Sequence, residues 1–206
     1  MARPQQSSAT SASALAALAG ASAVAWLALA GYEPPMGLVG FLAGWTLMMA
    51  AMMLPSIAPL VLLHRGPRLP LATGYVAVWG AIGLLPYAAM EWGLEPALPV
   101  VLALAGLYEL SPLKTACLRR CRNAATFLME RYRSGPLRLG AEHAVWCAGC
   151  CVGLMAVLVL AAAMGLVWAA AIAAVVFVQK ALPFPELSSR LAGVGLVAAA
   201  IVVGVT

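Results

Sequence analysis

The sequence predicts an all-α integral membrane protein: a helical bundle of about seven transmembrane helices, N-terminus inside, plus one inner-surface helix. Three observations predict it. The 206 residues are 64% hydrophobic and only 9% charged, well short of the polar surface that a soluble domain of this size needs. Hydrophobic runs of roughly 18–25 residues recur, each long enough to cross the ~30 Å hydrocarbon core as a helix. All 12 Lys and Arg residues sit before the first run or in alternate gaps between runs, as cytoplasmic loops require. Arg3 precedes the first run, and Arg65 and Arg68 follow the second together with His64. Lys114, Arg119, Arg120, Arg122, Arg131, Arg133 and Arg138 fill the gap after the fourth. Lys180 and Arg190 bracket the gap after the sixth.

Residues 1–12 (MARPQQSSATSA) are small and polar and are expected to form a disordered tail, leaving 13–206 as a single transmembrane domain. Span one runs from Ser13 to Gly31. Arg3 and the Ala-rich run suggest a secretory signal, but the length and the lack of a clear cleavage site favour a retained helix. Tyr32-Glu33-Pro34-Pro35 makes a tight outer turn. Span two, Met36 to Leu63, contains Pro55 and Pro59, each of which removes a backbone donor and can kink the helix. Span three, Leu71 to Trp92, carries Pro86 and the interface aromatics Trp79, Tyr87 and Trp92. Span four covers Ala97 to Leu110.

The segment 111–139 is the longest non-spanning piece. Lys114 to Tyr132 holds no strong breaker, which predicts one helix along the inner surface. Pro112 suits its first turn, and Gly135-Pro136 ends it. Span five covers Leu139 to Ala163, span six Leu166 to Ala181 and span seven Leu191 to Val205. The short link between five and six makes a tight hairpin, and Leu182-Pro183-Phe184-Pro185 breaks the chain before span seven.

Several functions are excluded by what is missing. The basic residues set topology and attract anionic headgroups, so the net charge of +5 does not indicate nucleic acid. There is no phosphate-binding loop, zinc-protease helix or dinucleotide turn. No nucleophile lies near a base and no carboxylates are suitably paired, so an enzyme is not expected.

The chemistry-bearing residues are soft donors. Cys117 and Cys121 are four apart in the expected inner-surface helix, so both thiols project from one face. Cys147, Cys150 and Cys151 share one face of span five. All five fall in the cytoplasmic half, where a reducing compartment disfavours disulfides and neighbouring thiolates serve as metal ligands or redox groups. Met48/Met52 and Met49/Met53 stack four apart on span two as two thioether columns, a donor type that favours Cu(I). His143 lies one turn before Cys147 on the same face. Each set also has a packing reading: cysteine is a small hydrophobe, methionine fills gaps, and Glu109, Lys114, Gln179 and Lys180 read as boundary charge or snorkelling residues.

Trp45 to Pro59 (WTLMMAAMMLPSIAP), Gly106 to Arg122 (GLYELSPLKTACLRRCR) and Cys147 to Met155 (CAGCCVGLM) resemble a bacterial family of polytopic membrane proteins, described as predicted metal-binding and otherwise a domain of unknown function. Weaker matches lie around Met164 and Lys180, and the resemblance covers most of residues 40–182. It implies a multi-helix membrane domain and a metal site, without an established reaction. The chain departs from the family pattern at Gln179, where Glu is expected, at Val152, where an aromatic is common, and at Gly165, where Asn is usual.

The resulting expectation is soft-metal handling, with a copper ion as Cu(I), at the cytoplasmic half of a bundle in the bacterial inner membrane. Its donors are Met48, Met49, Met52, Met53, Cys117, Cys121, Cys147, Cys150, Cys151 and His143. The methionines lie roughly 16–24 Å above the inner end of span two and Cys150 roughly 15 Å into span five, at 1.5 Å per residue. The expected partners are the lipid bilayer and a membrane or metallochaperone protein, with no nucleic acid. The alternative is a structural or assembly subunit of a larger membrane complex, its small-residue faces allowing close helix contact.

Overall fold

The structure, a computed structural model, describes residues 4–33, 37–94, 96–131, 133–160 and 165–205. Arg3, the Pro34-Pro35 turn, Tyr132 and Met164 lie outside those residues. The described chain is all α, with no strand. It divides into two compact units. The first joins Met1–Gly83 to Ala124–Ala144, and the second joins Leu84–Asn123 to Val145–Thr206.

In the first unit, α1 (Pro4–Ala30) packs on α2 (Leu38–Met53), and α2 packs on α4 (Arg68–Ile82). The prolines of span two break it as expected. A 3-10 turn, Leu54–Ile57, separates α2 from α3 (Ala58–Leu63). Pro55 has no N–H to offer the carbonyl of Ala51, four residues earlier. Ser22 of α1 fills that vacancy, its hydroxyl donating to Ala51 O at 2.6 Å. Ser56 Oγ donates to Met53 O at 2.7 Å. Unpaired carbonyls in apolar surroundings are costly, so the break ties α1 to α2. α8 (Ala124–Glu130) packs on α3. α9 (Pro136–Leu160) starts in this unit beside α4, where the contact is backbone to backbone. A Cβ on Gly140 would stand 1.9 Å from Leu71 O, and one on Gly74 would stand 2.0 Å from Leu137 O.

The second unit holds α5 (Leu84–Glu91), α6 (Leu98–Glu109), α7 (Pro112–Arg122), the rest of α9, α10 (Leu166–Ala181) and α11 (Pro185–Val205). α6 and α11 make its most extensive contact and cross at paired glycines. A Cβ on Gly106 would lie 2.8 Å from Gly193 O, and one on Gly193 would lie 3.0 Å from Gly106 O.

Three boundaries differ from expectation. α1 begins at Pro4, so 4–12 continue the helix rather than forming a tail; proline suits the first helical turn and nothing after it breaks the run. α11 begins at Pro185 with Glu186 in its first turn, six residues before the expected start, because proline and an acidic residue favour a helix N-terminus. The expected inner-surface helix is two helices, parted at Asn123 (φ −88°, ψ 66°).

Five described helical segments are long and apolar enough to cross a membrane: Ser11–Ala30, Leu38–Leu63, Arg68–Glu91, Pro136–Val159 and Pro185–Val205. α6 has 12 residues and α10 has 16, roughly 18 and 24 Å of helix, short of a ~30 Å core. α6 and α7 pass the same test as one broken span, bent by 61°.

Gly140→Ala and Gly74→Ala should each lower the thermal unfolding midpoint in detergent, at a cost of about 1–3 kcal/mol or more, because only backbone stands in the way of the added methyl. Gly195→Ala, which meets nothing within 4 Å, should leave that midpoint unchanged.

Candidate metal centre

The sulfur centre is built from α7 and α9. Cys147, Cys150 and Cys151 lie on consecutive turns of α9, and Cys121 lies one residue before the end of α7. The Sγ atoms of Cys121, Cys147 and Cys150 all lie within 4.8 Å of one another, and all three residues are buried. Cys151 Sγ is 3.5 Å from Cys150 Sγ but stands outside that mutual set. The Cys150 thiol donates to Cys147 O at 3.0 Å.

α7 comes this close to α9 because its neighbour there has no side chain. A Cβ on Gly149 would lie 2.9 Å from Cys117 Sγ, so Cys117 rests on bare backbone. Tyr108 of α6 donates its hydroxyl to Gly149 O, and Arg120 of α7 lies 5.1 Å above the Trp146 ring.

α10 supplies two polar residues in succession. Lys180 Nζ donates to Cys147 Sγ at 2.8 Å. That contact sets an ammonium charge directly against the sulfur cluster. Gln179, only 2% exposed, closes a ring with a buried ion pair. Lys114 Nζ lies 2.6 Å from Glu109 Oε1, both side chains fully buried. Lys114 Nζ also donates to Gln179 Oε1 at 2.9 Å, and Gln179 Nε2 donates to Glu109 Oε2 at 2.9 Å. Ser189 of α11 donates to Glu109 O at 2.8 Å and to Oε2 at 3.1 Å. These residues read in the sequence as boundary charge, yet they are the polar core of the second unit. A helix-end Glu-Leu-Ser-Pro-Leu-Lys run with a Gln-Lys pair elsewhere gives no sign that they meet. The departure from the family pattern at Gln179 falls inside this ring.

The other expected donors lie in the first unit. Met48, Met49, Met52 and Met53 are all buried there. His143 packs between aromatic rings, 5.3 Å from Phe127 and 6.1 Å from Tyr75 by centroids. The sulfur trio, with Cys151 and Lys180 touching it, belongs wholly to the second unit.

The trio suits a soft monovalent ion. Metal–thiolate bonds of about 2.3 Å put three sulfurs of a trigonal site about 4.0 Å apart, within reach of the observed spacing. Thiolates select Cu(I) and other soft metals over hard cations. A closed tetrahedral zinc site needs a fourth ligand.

Lys114→Met would leave Glu109 buried without its cation and should cost about 3–5 kcal/mol. The neutral pair Glu109→Gln/Lys114→Met should recover most of that loss, as read from unfolding midpoints of both variants.

No curated protein and no solved structure matches the chain. Residues 42–203 match a protein family described as "PpoB2: Copper chaperone". That stretch takes in both thiol-bearing helices, the ring and Lys180, and the chain belongs to the PpoB2 copper chaperone family.

Proposed function

We propose that this protein is a membrane-embedded Cu(I) carrier that holds one ion on Cys121, Cys147 and Cys150. The observation that carries the reading is the buried trio of sulfurs from two helices, within 4.8 Å of one another, with the Lys180 ammonium against Cys147. Three thiolates around Cu(I) sum to −2, and Lys180 offsets one of those charges, so the loaded site is less costly to bury. Copper is cargo here, and no step of bond making in a substrate is required.

The chain sits in the bacterial inner membrane with its N-terminus and the segment 111–139 on the cytoplasmic side, because the basic residues occupy alternate gaps. Seven crossings fit this orientation if α6 and α10 span with help from neighbouring segments. A cytoplasmic metallochaperone or a membrane protein is the source or recipient of the ion. The columns of Met48, Met49, Met52 and Met53, and His143, serve packing in the first unit, where thioethers fill gaps as readily as they ligate.

Purified in detergent under reducing, anaerobic conditions, the protein should carry one copper per chain. The Cys147/Cys150/Cys151→Ser triple variant should carry none, and Cys117→Ser and Met49→Leu/Met53→Leu should keep it. No metal in either protein, with a stable co-purifying partner, would instead support a ligand-free assembly subunit. Reagent labelling of a cysteine introduced at Ser134 in intact cells should fail until the inner membrane is permeabilised; labelling from the periplasm would overturn the orientation.

A further inference from the structure

Two sulfur donors of the trio lie on α9 and one lies on α7, so the site exists only while those helices keep their spacing. α7 leaves α6 at a bend of 61°, so no continuous helix fixes its direction. α7 is held by Arg119 bonding Glu186 of α11 and by Cys117 and Arg120 against α9, and two further contacts, one near each of its ends, converge on the last turn of α10. Gln179 takes hold of the start of α7 through Lys114 Nζ, at 2.9 Å. Arg122, at the other end of α7, donates to Gln179 O at 2.8 Å and to Leu182 O at 2.6 Å, filling carbonyls that a helix C-terminus leaves without partners. Lys114 and Arg122 are eight residues apart, roughly 12 Å along the helix axis. The next residue, Lys180, takes hold of α9 through Cys147. Successive side chains on a helix diverge by roughly 100°, which lets two neighbours face two different helices.

We propose that Gln179 and Lys180 act as a two-residue bracket at the end of α10 that sets the spacing of α7 and α9 and so decides whether Cys121 joins Cys147 and Cys150 on one metal ion. The proposal rests on the copper reading above and adds the device that assembles the site. Gln179 is a positioning residue: it touches no sulfur. Its amide suits the task because the oxygen accepts from Lys114 while the nitrogen donates to Glu109. A carboxylate at that place would satisfy Lys114 and oppose Glu109. With the bracket closed the ion has three sulfurs. With α7 released it keeps the two on α9, a lower coordination from which a thiol of a partner can take it.

The test is a double-mutant cycle in the full-length protein in detergent. Gln179→Leu keeps the volume and leaves the Glu109–Lys114 pair intact. X-ray absorption should count three sulfurs around Cu(I) in the wild type and two in Gln179→Leu, with affinity lowered about 10- to 100-fold. Cys121→Ser should give the same two-sulfur spectrum, and combining it with Gln179→Leu should add no further loss. A structural role alone would not cancel the effect of Cys121→Ser. Arg122→Ala, a half-exposed side chain outside the ring, is the second variant and should shift the site in the same direction if Gln179→Leu does not fold. A metal-free readout separates this proposal from the copper reading: anaerobic treatment with a thiol-specific oxidant should link Cys121 to Cys147 or Cys150 in the wild type, more slowly in Gln179→Leu and in Arg122→Ala, which releases Gln179 O. Wild type that links but binds no copper would sink the copper reading and leave the bracket standing. Variants that keep three sulfurs and the wild-type linking rate would overturn the bracket.

Discussion

The second unit depends on the contact between Lys114 and Glu109. Both side chains are fully buried, and burial of either alone would cost several kcal/mol. The cost is tolerable because neither charge is left with one partner. Gln179 serves both, and Ser189 serves Glu109 twice. Four helices therefore meet around one closed set of hydrogen bonds: α6, α7, α10 and α11. The apolar contacts of alanine- and glycine-rich helices are nearly interchangeable, so they set register weakly. A polar ring with directional bonds does not slip, because each slipped register would strand a buried charge.

Much of the fold was legible in the sequence. Hydrophobic runs marked the helices, and the prolines at 55 and 59 marked the interruption of span two. The partners were not legible: nothing near Pro55 in sequence points to Ser22, which lies 29 residues from Ala51. Boundaries failed where capping outweighed hydrophobicity, as at Pro4 and Pro185. The number of helices long enough to span was not legible either. α6 and α10 are apolar but short, and shortness is set by turn residues and tertiary bends rather than by composition.

At the site, the cysteine spacing was informative and the charged residues misled. Three and four residue separations put Cys147 and Cys150 on one face, and helix geometry preserved that. The same logic offered Cys117 and Cys121 equally. Only the tertiary fit, with Gly149 receiving Cys117, sorts one into the sulfur trio and leaves the other on the α9 backbone. Lys180 and Gln179 read as residues that would snorkel to the membrane boundary. A long amine is free to turn inward when a sulfur or carboxylate acceptor awaits it, and a single sequence does not record that choice. His143 and the methionines, expected as donors too, lie in the first unit, buried and apart from the sulfur trio's unit.

The trio also lies away from water, with Cys147 and Cys150 no more than 1% exposed. An ion entering it must shed its hydration shell completely and receive only sulfur in return. Magnesium gives up its waters reluctantly, and calcium wants six to eight oxygens, so dehydration rejects both before ligand softness is consulted. Cuprous ion holds water weakly and gains most from the exchange. In the proposed carrier role, the dryness of the site would filter cargo in its own right, acting on the cost of undressing an ion rather than on the strength of the bonds that follow.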